Sequence, residues 1–276
     1  MAYNSDIRNS YNSFIYMKVV CIKGKVLKLY DSIDEMPIVN FQKYNKYLLI
    51  DAGLGSDADD VDAHIVRIAK FIKAKNEKEA LQELQNMRQN LHMINSNISP
   101  KYLAFAALIH SINGKELTDL SDDNLQSVLS SLKDTPHSFI TRILALFKKK
   151  VQSELETYFP VAFSVSAKDK DLYDKLKART LLVLGDIING TNSSESIADI
   201  DRLMLAMCKP KLFYGPESIE VKHERDFNNA CLLIAKELNY DTNNLTVLQF
   251  YNALELIKKQ TEAKSKALNN NSHGRR

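Results

Sequence analysis

Between residues 37 and 98 the chain spells out three helices together with the residues that start and stop them, and that punctuation limits the fold more than any other feature. In Tyr47-Leu-Leu-Ile-Asp51-Ala-Gly53-Leu-Gly55-Ser56-Asp57-Ala-Asp59-Asp60 one helix ends at a glycine and the next begins at a serine. A glycine just past a helix end takes the left-handed conformation without a Cβ clash, and Ser56 with Asp59 three residues on has the form of a capping box. Eight glycines and six prolines in 276 residues are few, which calls for long helices and short connections.

Pro37 opens this helical body. Val61, Ile65, Ile68 and Ile72, then Leu84, Met87, Leu91, Ile94 and Ile98, recur in steps of three and four and mark the apolar faces of two amphipathic helices. Ser99-Pro100 starts a fourth helix, whose run from Leu103 to Ile109 is apolar all round and belongs at the centre of the core. Ser121 caps a short helix, and Thr135-Pro136 opens a long one that stops at Phe159-Pro160. Residues 160–167 carry no helical signal and form the expected internal seam. Beyond it lie a helix closing at Gly190, another ending before Pro210, and one carrying Phe227, Ala230, Cys231, Ile234 and Leu238. The last opens on the capping box Thr246-Val-Leu-Gln249 and fades after Gln260.

Before Pro37 the texture differs. Residues 14–30 hold two β-branched and aromatic runs around Gly24, the pattern of a β-hairpin that must pair or pack with something else to be stable. Residues 1–13 and 264–276 are polar and lack apolar periodicity. The expected fold is therefore mainly α: a multi-helix, bundle-like body with a small N-terminal β-hairpin and extended terminal arms. Its divisions are residues 1–36 (arm and hairpin), 37–160 and 161–260 (two helical subdomains) and 261–276 (C-terminal tail).

The chemistry-bearing residues form no known catalytic or metal-binding constellation. Gly53 and Gly55 before a helix suggest a phosphate cradle, but Asp57, Asp59 and Asp60 at that helix start would repel phosphate. The same acids do not make a calcium loop, since its sixth and twelfth positions would be Asp62 and Ile68. The six histidines lack zinc spacing, and Asp60 with His64 reads as a surface contact on one helix. Serines lack a nucleophile elbow, and Gly185-Asp186 lies inside a helical pattern. Cys21, Cys208 and Cys231 read as reduced, buried thiols. A net charge of +3 and the short basic runs at residues 148–150 and 275–276 do not call for sequence-specific nucleic acid. The N-terminus lacks the layout of a secretory signal, and no apolar run reaches the ~20 residues of a membrane span. No catalytic residue, cofactor or metal is expected.

Taken together, Met36-Pro37-Ile-Val-Asn-Phe41-Gln-Lys-Tyr-Asn-Lys-Tyr-Leu-Leu-Ile-Asp51-Ala-Gly53-Leu-Gly55-Ser56, followed by Asp62-Ala-His64-Ile and Glu79-Ala-Leu-Gln-Glu83, resembles structural proteins of tailed phages of Bacteroidetes, in particular the crAss-like phages. The resemblance implies a non-enzymatic virion component made in the bacterial host cytoplasm, a head–tail connector or tail-ring protein. It would be arranged in a ring of many copies beside portal, connector or tail proteins. The alternatives are a non-virion tail-assembly chaperone and a cytosolic helical adaptor. No site residue carries over from the resemblance. The candidate partner-binding residues come from the hairpin and arms: Tyr3, Tyr11, Phe14 and Tyr16 as aromatic anchors, and Lys264, Lys266, Arg275 and Arg276 as cations for acids across a subunit boundary.

Overall fold

The computed structural model describes residues 18–22, 24–132, 135–164 and 166–273. The chain begins with β1 (Lys18–Ile22) and β2 (Lys25–Leu29), then α1 (Ile38–Leu54), α2 (Ala58–Lys73), α3 (Glu77–Asn95) and α4 (Pro100–Ala107). Strands β3 (Ile109–Ile112) and β4 (Lys115–Glu116) precede α5 (Asp122–Ser131), α6 (His137–Tyr158) and the single turn α7 (Pro160–Phe163). Then come α8 (Ala167–Asn189), α9 (Ser194–Met207), α10 (Ile219–Leu238) and α11 (Val247–His273). Helix accounts for 72% of the structure, so the mainly α fold with a small sheet near the N-terminus holds.

The core forms where the sequence is most uniformly apolar. From Leu103 to Ile109 no residue is more than 4% exposed, because α4 is covered by α1, α5 and α6. Helix α1 is the spine. Its Asn40 amide donates to the Ala107 carbonyl at 3.1 Å, satisfying one of the acceptors that a helix C-terminus leaves open. On its other sides the Tyr47 hydroxyl donates to Asp122 of α5 at 2.6 Å, and Lys46 pairs with Glu224 of α10 at 2.6 Å. Helix α11 joins at the start of the spine: Ile38 N–H donates to the Leu245 carbonyl and Val247 N–H to the Met36 carbonyl, both at 2.9 Å. The Thr246–Gln249 capping box is formed in both directions, at 3.0 and 3.3 Å. Ile234, Val247, Phe250, Ala253 and Ile257 thereby enter the same core as α1 and α4.

The N-terminal hairpin does find a partner. Its strands belong to an antiparallel sheet in the order β1-β2-β3-β4. The second hairpin turns on Asn113-Gly114, whose φ values of 50° and 82° are those of a type I′ turn, the tight turn matched to the twist of paired strands. The Asn113 side chain also accepts from Val26 N–H at 2.8 Å, tying this turn to β2. Sheet and helices share one core through Leu27, Leu29 and Ile109.

Four local expectations need correction. The capping box at the start of α2 is Asp57 with Asp60, one residue later than Ser56 with Asp59, because Asp60 reaches back to both the Ser56 and Asp57 N–H groups. Residues 160–163 form a helical turn, since Pro160 suits the first position of a helix. Helix α11 does not fade after Gln260 but runs to His273, through part of the expected tail. Cys21 and Cys208 are exposed and Cys231 is half-buried, so the thiols are free but not interior.

Truncating Phe105→Ala should cost about 3–5 kcal/mol, the range for emptying a fully packed aromatic site. Urea denaturation checks this, and a loss below about 1 kcal/mol, typical of exposed sites, would contradict the burial of α4.

Candidate interaction surfaces

Helices α2 and α3 form a tight hairpin that docks on the end of the spine, and its inner side is polar. Helix α1 ends at Gly55, which takes a φ of 68°. The last turn exposes the Leu54 carbonyl toward the hairpin, and two side chains bind it: His64 Nε2 at 2.9 Å and Asn90 Nδ2 at 2.8 Å. A carbonyl only accepts, so Nε2 donates to it. His64 Nδ1 lies 2.8 Å from Glu83 Oε1 and 3.0 Å from Arg67 Nη2, and Arg67 Nε also donates to that carboxylate. Asn86 completes the set, donating to Glu83 Oε2 at 3.3 Å and to the Lys211 carbonyl at 3.0 Å. His64, Glu83, Asn86 and Asn90 are all buried. The expected surface contact of His64 with Asp60 is thus replaced by an interior role. Its ring bridges the end of one helix and a carboxylate on another.

Burial alone would push the Glu83 carboxyl upward. The hydrogen bonds from His64 and Arg67, together with the Arg67 charge, outweigh that effect and hold it below the usual glutamate range.

With polar residues turned inward, part of each apolar stripe of the hairpin turns outward, while Val61, Ile68, Met87, Ile94 and Ile98 are half-buried. On α2 the buried positions are His64 and Phe71, while Ile65 is 51% and Ile72 62% exposed. On α3 the buried positions are Ala80, Glu83, Asn86 and Asn90, while Leu81, Leu84 and Leu91 are exposed.

A second open surface lies on α8 and α9. These helices pack on each other, joined by the Arg179–Asp201 ion pair at 2.7 Å, and neither packs extensively on any other element among the described residues. Helix α9 has no buried residue. On α8, Leu172, Leu182 and Val183 are half-buried, whereas Tyr173, Leu176, Leu181, Leu184, Ile187 and Ile188 are exposed, the last by 77%. The two helices therefore form an arm with a second apolar side.

Aromatic contacts lie outside both ends of the arm. At its start, Phe163 and Phe159 pack on Tyr251 of α11, at ring separations of 5.0 and 5.7 Å. At its end, Phe213 lies against Gly53 so closely that a Cβ there would fall 2.1 Å from the ring. Gly53 is needed for this approach, not for a nucleotide cradle.

Of the residues expected to bind partners, Lys264 and Lys266 lie exposed on α11. Tyr3, Tyr11, Phe14, Tyr16, Arg275 and Arg276 fall outside the described residues. Among the described residues no group of three or more His, Cys, Asp or Glu side chains could hold a metal, and no helix is long and apolar enough to cross a membrane. A cleft of about 440 Å³ between α4, α5 and the start of α6 is lined by Ser99, Tyr102, Gln126, Ser130 and Thr135 with apolar neighbours, and among the described residues no carboxylate joins them. Comparison with known protein families, curated proteins and solved structures finds no match.

Glu83→Gln should lower stability at neutral pH by about 1–3 kcal/mol, the cost of weakening a buried charge-assisted set. Asn90→Ala should cost about 1 kcal/mol, since His64 still serves the Leu54 carbonyl. The folded Glu83 value lies below the unfolded one. Its contribution is therefore complete above the unfolded value and is lost as pH falls through the folded one. Urea midpoints of the native chain should decline over that acid window, and Glu83→Gln should remove that part of the decline.

Proposed function

We propose that this chain is a non-enzymatic structural subunit that works by assembling in many copies, as a head–tail connector or tail-ring protein in the virion of a tailed bacteriophage. The observation that carries the multicopy reading is the α8–α9 arm, whose second apolar side has no cover among the described residues. An exposed contiguous apolar patch of this kind marks an interaction site. Full burial of each large aliphatic or aromatic side chain contributes about 1.5–3 kcal/mol. Six such residues on α8 can together offset an association cost of about 4–15 kcal/mol. The placement of this reading in a phage rests on the resemblance of residues 36–110 to structural proteins of crAss-like phages.

In this proposal the arm of one copy seats on its neighbour, and the repeated heterologous contact closes a ring. Neighbours are further copies and the adjoining portal, connector or tail proteins. Tyr3, Tyr11, Phe14 and Tyr16, with Lys264, Lys266, Arg275 and Arg276, supply additional contacts across the boundaries.

Leu184→Asp with Ile187→Asp should leave the helical circular dichroism spectrum unchanged, because both residues are exposed, and should abolish assembly beyond small oligomers. Light scattering reads the mass. Mass spectrometry of purified phage particles tests the location: a stoichiometric virion component is expected, and absence from particles would favour the assembly-chaperone alternative.

A further inference from the structure

The outer side of α2 carries a pattern that the ring contact does not use. Asp59, Asp62, Val66, Ala69 and Lys73 follow one another in steps of three and four, so they form one line along the helix, with Lys70 beside it. All six are exposed, and Ile65 and Ile72, also exposed, lie on one flank of the line. Asp59, Asp62, Lys70 and Lys73 make no ion pair or side-chain hydrogen bond among the described residues. The line is symmetric in position and opposite in charge about Val66. Asp62 and Lys70 stand four residues before and after it, and Asp59 and Lys73 seven before and after.

We infer that the outer face of the α2–α3 hairpin binds a second copy of this chain, with the two α2 helices antiparallel and crossing at Val66. A two-fold axis there sets Asp62 against the second copy's Lys70, and Asp59 against its Lys73. Each pair occurs twice, over about 21 Å of helix. The charges admit only this direction, because a parallel pairing would oppose aspartate to aspartate and lysine to lysine. The seam between the charges is small (Val66, Ala69), which lets the helices approach. Ile65 and Ile72 flank that seam. This contact is isologous, unlike the heterologous contact proposed for the arm, and does not depend on it.

The test separates the two contacts. In a chain carrying Leu184→Asp and Ile187→Asp, which disables the arm, sedimentation and light scattering at micromolar concentration should still give a dimer. That dimer should weaken as salt rises. Adding Lys70→Glu with Lys73→Glu makes the α2 line wholly acidic, and adding Asp59→Lys with Asp62→Lys makes it wholly basic. Each of these chains alone should associate about tenfold more weakly or worse, and an equimolar mixture should regain the dimer as a mixed pair. All substituted positions are exposed, so unchanged circular dichroism is the expected folding control. The inference is overturned if the arm-disabled chain is monomeric, if its dimer ignores the charge reversals, or if the acidic and basic chains do not pair. In those cases the face serves a different partner or none.

Discussion

The carbonyl of Leu54 is the acceptor around which the N-terminal half is organised. A helix end leaves its last carbonyls without partners, and at the C-terminus of α1 that need is met by two side chains from two different helices. His64 and Asn90 reach it only if α2 and α3 turn their polar faces inward, which brings Glu83, Arg67 and Asn86 into the same interior. Asn86 then binds the loop at Lys211, and Phe213 seats on Gly53, the residue before Leu54. One backbone acceptor thus sets the orientation of a helical hairpin and the path of a segment more than a hundred residues away.

That choice explains where reading the sequence succeeds and where it does not. The helix starts and stops were legible because caps are local: Pro37, Ser121, Pro136, Gly190 and the Thr246–Gln249 box all stand at or beside real boundaries. The Leu103–Ile109 core was legible because a segment apolar on every side has no polar side to present to water. The facing of α2 and α3 was not, since periodicity identifies a stripe but not what it packs against. Here a buried hydrogen-bond network outweighs the usual rule that the apolar side faces in. The third and fourth strands had a readable signal in Asn113-Gly114, hidden by the apolar run before it, which merges a helix and a strand without a break. The partner-binding candidates at the ends were placed by composition alone, and the open surfaces that the fold displays, on α8 and on the α2–α3 hairpin, lie elsewhere.

A polar interior in the hairpin also has a cost in stability that the apolar core elsewhere must offset. Buried charged sets are roughly neutral at best against a well-packed apolar alternative. What the His64–Glu83–Arg67 set provides is direction: its bonds are satisfied in one rotation of each helix, so the outer face is presented in a single way.

The contacts beside the two ends of the α8–α9 arm have a topological consequence. The aromatic cluster at Phe163 and the Phe213–Gly53 contact tie the segments that enter and leave the arm to two different helices, α11 and the end of α1. The arm is thus an excursion of the chain whose entry and exit are set by separate parts of the body.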